Sequence, residues 1–151
     1  MKNFKDKVAV ITGAGSGIGR ALAKELAASG AKLALSDINE AGLKQTAKDL
    51  GLAEDRLLTK VLDVADRQAF YDFADDVVNH FGYANMIFNN AGVALGATVE
   101  DMSYDDFEWL MNINFWGVVY GTKAFLPHLK AAGEGHIVNV SSVFGLIGVP
   151  P

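Results

Sequence analysis

Residues 12–19 run Thr12-Gly13-Ala14-Gly15-Ser16-Gly17-Ile18-Gly19, and their flanks constrain this chain more than any other feature. An apolar, β-branched run, Val8–Ile11, precedes them. A segment with helical spacing, Ile18–Ser29, follows. Strand, glycine turn and helix in that order build an anion cradle. Glycines let the backbone approach a pyrophosphate, and a helix N-terminus offers free N–H groups and the positive end of its dipole. The spacing matters. A G-x-G-x-x-G fingerprint started at Gly13 needs glycine where Ile18 stands, and started at Gly15 needs it where Arg20 stands. The spacing that fits is T-G-x-x-x-G-x-G on Gly13, Gly17 and Gly19. No Gly-Lys-Ser/Thr follows, so a Walker A loop is excluded.

The rest of the chain repeats the alternation. Strands are predicted at Val8–Ile11, Lys32–Ser36, Leu57–Leu62, Asn85–Phe88 and His136–Val140. Helices are predicted at Ile18–Ser29, Asn39–Leu50, Asp66–Phe81 and, as one long helix, Tyr104–Ala132, with Pro127 bending or breaking it near its end. Such alternation implies βαβ units and an α/β, doubly wound parallel sheet in three layers. At 151 residues, without linker or repeat, the chain fits one domain.

Polar residues stand at the predicted strand ends, where ligands of such sheets bind. Asp37 closes the second strand. Its carboxylate can accept hydrogen bonds from adenosine ribose hydroxyls and would repel a 2′-phosphate, so NAD is favoured over NADP; Ile38 and Ser16 bring no compensating positive charge. Capping the next helix is the alternative role for Asp37. Asp63, followed by Val64, can reach an adenine amino group or simply close a turn. Asn89 and Asn90 can tie neighbouring loops together through side-chain to backbone bonds, while Ala91 and Gly92 leave room for a ribose; a plain Asn-Gly turn is the other reading. Asn112 and Asn114 are modest helix formers amid apolar neighbours, which calls for a kink or a cleft-facing site. Ser141 and Ser142 follow the fifth strand, where serines commonly cap helices.

Together the residues TGAGSGIG at 12–19, Asp37, Asp63-Val64, NNAG at 89–92, Asn114 in NINFWG and VNVSS at 138–142 resemble the short-chain dehydrogenase/reductase family, in that family's order and over nearly the whole chain. The resemblance implies a Rossmann-type sheet continuing past five strands, and hydride transfer between a nicotinamide cofactor and an alcohol or carbonyl compound. It implies cofactor contacts from Gly13, Ser16, Gly17, Ile18, Gly19, Asp37, Asp63, Val64, Asn90, Ala91 and Gly92. It also implies Asn114 as a holder of a relay water and Ser142, rather than Ser141, as a hydrogen-bond donor to the reacting oxygen. The family's Tyr-x-x-x-Lys motif is not in these 151 residues: the residues four after Tyr71, Tyr83, Tyr104 and Tyr120 are Asp75, Ile87, Glu108 and Ala124, and Tyr120 with Lys123 has the wrong spacing. A carbonyl oxygen gaining hydride needs a proton donor of tuned pKa, which Ser142 and Asn114 do not supply. The expectation is an N-terminal part of a longer NAD-binding domain, inactive by itself. Val143–Pro151 would then begin an apolar wall of the substrate pocket.

Composition bounds the partners. The net charge is −5, without a cluster of Lys and Arg, which argues against nucleic acid and anionic membrane. The absence of cysteine excludes disulfides and thiolate sites and suits the cytoplasm. His80, His128 and His136 are scattered, so no metal is expected. No stretch is long and apolar enough to span a bilayer, and Val8–Ile11 is too short for a signal core. The apolar residues of 104–132 cover most of a helix circumference, from Leu110 and Met111 through Phe115, Trp116 and Val119 to Leu126. One side would pack on the sheet. The other would meet a second copy, giving a homodimer or homotetramer, or be covered by further chain segments. Two other functional readings stand beside the NAD oxidoreductase. One is a non-catalytic nucleotide-binding protein. The other is an NADPH-dependent reductase of carrier-bound 3-ketoacyl groups, which Asp37 opposes.

Overall fold

The computed structural model describes residues 3–147, so Gly148–Pro151 of the expected apolar wall lie outside the described residues. Five parallel strands form one sheet in the order β3-β2-β1-β4-β5: β1 Val8–Thr12, β2 Lys32–Asp37, β3 Leu57–Val61, β4 Met86–Asn89 and β5 His136–Asn139. The helices are α1 Gly17–Ala28, α2 Glu40–Leu50, α3 Arg67–Phe81, α4 Tyr104–Met111 and α5 Gly117–Ala131.

The two faces of the sheet explain the strand sequences. On β1, Val8 and Val10 join one core with α3 and α5, while Ala9 and Ile11 join the other with α1 and α2. Both sets are fully buried. A strand buried on both faces reads as a continuous apolar run, as Val8–Ile11 does. Phe125 anchors the first core edge-on to Phe70 and Phe73, with ring centroids 6.5 and 6.1 Å apart. Each such phenylalanine contributes about 1.5–3 kcal/mol through burial. β5 is the outer strand beyond β4, and its four residues are exposed.

Helix boundaries follow local chemistry. Asn39 accepts from Gly42 N at the start of α2, and Asp66 accepts from Ala69 N at the start of α3. Each is a side chain satisfying an orphan donor of the first turn. The predicted helices at 39 and 66 thus begin one residue later, with those residues as caps. Gly51 and Gly82 end α2 and α3 in the left-handed conformation.

The single helix expected over Tyr104–Ala132 is corrected in two ways. It is interrupted by a π turn at Asn112–Trp116, and Pro127 does not break it, since α5 continues through Pro127 to Ala131. The π turn inserts one extra residue, which lets Asn114 face the segment after β4 while Gly117 and Gly121 still face the core. A Cβ on Gly117 would lie 2.9 Å from Val64 Cγ2. Pro127 is exposed, so the carbonyl one turn before it can turn to water. Phe125 and Leu129, on either side, are buried and anchor α5 to the core on both sides of it.

Gly121 is the tightest point of the α5 packing. A Cβ there would sit 2.2 Å from Asn89 Oδ1 and 2.8 Å from Phe70 Cζ. Gly121→Ala is therefore expected to destabilise the fold by about 1–3 kcal/mol. Gly96→Ala, whose Cβ would meet nothing within 4 Å, is expected to change stability by less than about 0.5 kcal/mol. Urea unfolding midpoints of the two variants check this.

Candidate active site

β1 lies where the sheet changes direction: its neighbours are β2 on one side and β4 on the other. Connections leaving β1 and β4 go to opposite faces, so a crevice opens at their C-terminal ends. A cleft of about 480 Å³ occupies that position, within the range of roughly 300–1,000 Å³ usual for small-molecule sites.

The floor of the cleft is stitched by Thr12. Its hydroxyl donates to Phe88 O at 3.3 Å and accepts from Asn90 N and Ala91 N, both at 3.0 Å. One donor and two acceptors exhaust a hydroxyl. Asn90 reciprocates, with Nδ2 2.9 Å from Thr12 O and 3.2 Å from Gly13 O. These bonds join β1 to the segment after β4 as expected of Asn90, whereas the Asn89 amide bonds side chains instead, Asn139 Oδ1 and Thr122 Oγ1. Thr12 itself was not singled out as a site residue. A buried hydroxyl ending an apolar strand is the signal that could have found it.

The glycine turn rises from this floor. Gly13 has φ +65° and Gly17 φ +48°, conformations that favour glycine. A Cβ on Gly17 would meet nothing within 4 Å, so open space lies over the start of α1. No side chain caps that helix, and its first turn holds no acidic residue. An uncapped, unneutralised N-terminus facing a cleft is suited to an anion.

Across the turn, the Asp37 carboxylate is held at both oxygens. Oδ2 accepts from Gly15 N and Oδ1 from Asn39 N, each at 2.8 Å. Asp37 does not cap α2; Asn39 does. Each carboxylate oxygen keeps a lone pair for a hydroxyl in the cleft. Asp63 closes a turn, as the alternative reading had it: Oδ1 accepts from Ala65 N at 2.9 Å and its carbonyl from Asp66 N at 3.0 Å. Val64 is buried beside it.

Asn114, in the π turn, grips one residue at both ends. Oδ1 accepts from Val93 N at 2.9 Å and Nδ2 donates to Val93 O at 2.8 Å. The geometry is that of a strand pairing with Val93. Ser142 caps the short 3₁₀ turn Val143–Gly145, its Oγ accepting from Phe144 N at 3.1 Å. That leaves its hydroxyl proton free to donate. Ser142 follows β5 at the same end of the sheet as the cleft but is not among its lining residues.

The structure thus brings Gly13, Ser16, Gly17, Ile18, Asp37, Asp63, Val64, Asn90, Ala91 and Gly92 into one cleft. Gly19 stands apart. It is buried, and a Cβ on it would lie 2.1 Å from Gly13 O and 2.7 Å from Asn90 Nδ2, so its smallness serves the packing of α1 under the turn. Leu62, Val93 and Ile113 also line the cleft and were not foreseen; Ile38 lines its lip. Apolar residues at a strand end look like core in a sequence, which hid Leu62.

The comparisons with known proteins agree with this geometry. A family model described as short chain dehydrogenase matches residues 7–151. The Mycobacterium tuberculosis protein SadH, named as an oxidoreductase, is 53% identical over 150 residues, covering 99% of this chain and 54% of that protein. The C alpha-dehydrogenase of Sphingobium sp. is 39% identical over 153 residues, covering 98% of this chain and 49% of that protein. This chain therefore spans about half the length of the curated relatives it matches. A solved short-chain dehydrogenase/reductase from Burkholderia phymatum in complex with NAD superposes with a TM-score of 0.95 at 40% identity, over 99% of this chain and 54% of that one. With its parallel sheet, its glycine turn at the switch point and a family match across nearly all its residues, this chain belongs to the short-chain dehydrogenase/reductase family.

Proposed function

We propose that residues 1–151 are the N-terminal part of a single NAD-binding Rossmann domain, in an oxidoreductase that moves hydride between nicotinamide and a secondary alcohol or ketone. The observation that carries this is the Asp37 carboxylate facing the glycine turn across one cleft, with an uncapped helix N-terminus beside it. The relatives' names and the NAD-bound neighbour support it.

The fit to NAD rests on three features. The start of α1 and the N–H groups of Ser16 and Gly17 suit a pyrophosphate. The free lone pairs of Asp37 suit the adenosine ribose hydroxyls, and its charge opposes a 2′-phosphate. Leu62 and Val64 give an apolar seat for adenine at the end of β3, with Ile38 at the lip. When bound, the nicotinamide supplies or accepts the hydride. This chain's residues hold, orient and exclude. Ala91 and Gly92 leave room for the second ribose. Asn114 pins Val93 and so fixes the wall beside it, and its remaining lone pair and N–H can hold a water. The free Ser142 proton can be donated to the reacting oxygen. Neither group is a tuned acid, so the proton donor belongs to a further segment, in keeping with relatives about twice as long.

The exposed face of α4 and α5 supports self-association. Phe115 and Trp116 meet edge to face, Trp116 stacks on Tyr120, and Phe107, Trp109 and Met111 are also exposed. A patch of this kind fits a homodimer or homotetramer. No helix among the described residues is long and apolar enough to cross a membrane. A cytoplasmic enzyme is the reading consistent with that and with the absence of cysteine.

Three outcomes are expected of the full-length protein. With a panel of secondary alcohols and NAD, reduced nicotinamide accumulates for at least one; cofactor binding without turnover on any would favour the non-catalytic reading. Asp37→Ala weakens NAD binding by about 2 kcal/mol, the worth of a hydrogen bond to a charged group, and narrows the gap to NADP. Equal affinity of the unaltered protein for NAD and NADP, measured calorimetrically, would refute the cofactor preference. Trp116→Glu shifts the light-scattering mass towards the monomer, and an unchanged mass would place the interface elsewhere.

A further inference from the structure

Arg20 has no part in the function as described so far. It sits one turn into α1, partly buried, and its own N–H closes that turn on Ser16 O at 3.1 Å. Its guanidinium reaches back towards the glycine turn. Nη2 donates to Gly15 O and lies 3.4 Å from Gly42 O, and Nε donates to Thr46 Oγ1 at 2.9 Å. Thr46 is fully buried on α2, with its hydroxyl 2.9 Å from Ala14 O and 3.1 Å from Gly42 O. A guanidinium and a buried hydroxyl are therefore spent on the main chain of residues 14, 15 and 42.

The direction of those bonds has a consequence. In a planar trans peptide the C=O and the next residue's N–H point to opposite sides. Ala14 O belongs to the same peptide unit as Gly15 N, and the two ends are held by Thr46 and Asp37 respectively. Gly15 O belongs to the same unit as Ser16 N. With that oxygen drawn to Arg20, the N–H of Ser16 must face away from it, and Ser16 lines the cleft. Nothing intrinsic to Gly15-Ser16 holds this orientation, because glycine leaves its flanking peptide nearly free to rotate. A reversed unit would present a carbonyl where an anion must bind.

We propose that Arg20, oriented by Thr46, is a positioning residue that keeps the 15–16 peptide turned so that the Ser16 N–H serves a pyrophosphate in the cleft. The proposal rests on the reading of the cleft as a dinucleotide site. Gly15 is then held by opposite charges, Asp37 on its N–H and Arg20 on its C=O, and α2 acts as the backing of the cradle. Gly42 permits this closeness: a Cβ there would lie 2.8 Å from Gly15 O. Arg20 is not among the residues lining the cleft, so its effect on a bound anion passes through the peptide.

The test uses the full-length protein, with NADH and ADP-ribose as probes. Arg20→Ala is expected to raise both dissociation constants about tenfold, the effect of losing one charged hydrogen bond. The KM for cofactor rises with it, while kcat at saturating cofactor stays unchanged. Arg20→Lys does not restore affinity, since one ammonium cannot serve Thr46 and Gly15 in the guanidinium's fork geometry. Guanidinium ion added at non-denaturing millimolar levels restores part of the affinity of Arg20→Ala and leaves the unaltered protein as it was. Thr46→Val, which conserves volume, gives a smaller loss of the same kind and carries the test should Arg20→Ala not fold; in the double variant the two losses do not add. Unchanged affinity for both probes in folded Arg20→Ala or Thr46→Val, or a loss in melting temperature alone, overturns the proposal and leaves the cofactor reading intact. Failure of the unaltered protein to bind either probe overturns the cofactor reading, and this proposal with it.

Discussion

The Thr12 hydroxyl holds together the place where the sheet divides. β1 and β4 pair from Ala9–Met86 as far as Ile11–Phe88, and beyond that point their connections part to opposite faces. Parting strands leave main-chain groups without ladder partners, and buried orphans are costly. Thr12 Oγ1 takes up three of them, from Phe88, Asn90 and Ala91, and Asn90 Nδ2 takes the carbonyls of Thr12 and Gly13. The crevice can open because its floor is satisfied from within the protein. Everything the cleft presents to a ligand stands on that floor: the turn at Gly13, the wall at Ala91 and Gly92, and the Asn114–Val93 pairing.

Missing side chains do the remaining work. At Gly19, α1 lies close enough beneath the turn that its neighbour is the Gly13 carbonyl, and at Gly121, α5 lies against Asn89 and Phe70. The Asn89 amide then bridges three elements, with Nδ2 2.9 Å from Asn139 Oδ1 on β5 and 3.3 Å from Thr122 on α5. Its oxygen has no hydrogen-bond donor and packs against Gly121 instead. The close seat of α5 thus keeps β5 in register with β4, and β5 leads directly to Ser142.

The sheet and its helices were legible because strands buried on both faces are apolar throughout and because Asn39, Asp66, Gly51 and Gly82 carry boundary chemistry in their own side chains or lack of them. The cleft-lining polar residues were legible because they stand at strand ends, where a core residue would be apolar. The π turn was legible only in part: Asn112 and Asn114 amid apolar residues called for a kink or a cleft-facing site there, but its form depends on a contact between Asn114 and Val93, 21 residues apart in the chain. Pro127 misled for the complementary reason: its local preference for breaking a helix is overridden by the burial of Phe125 and Leu129. Gly19 was named with the cleft because its spacing matches the glycine pattern, and its lack of a side chain also lets α1 pack beneath the turn, a role that spacing alone does not reveal.

In the proposed dinucleotide site, Asp37 would join recognition to scaffold. Selectivity for an unphosphorylated ribose would come from the charge and free lone pairs of its carboxylate, but Oδ2 also fixes Gly15 N–H and Oδ1 fixes Asn39 N–H at the start of α2. The carboxylate is so close that a Cβ at residue 15 would lie 2.8 Å from Oδ2 and force it to shift. A basic side chain at position 37 would therefore change two things at once: it would lose the bond to Gly15 N–H and set a donor against a donor. Accommodating a 2′-phosphate on this backbone requires a new partner for Gly15 as well as a new charge. The physical route is a substitution on α2 or in the turn that accepts from Gly15 N–H, with the cation supplied from Ile38 or Ser16, whose side chains reach the cleft without holding its frame.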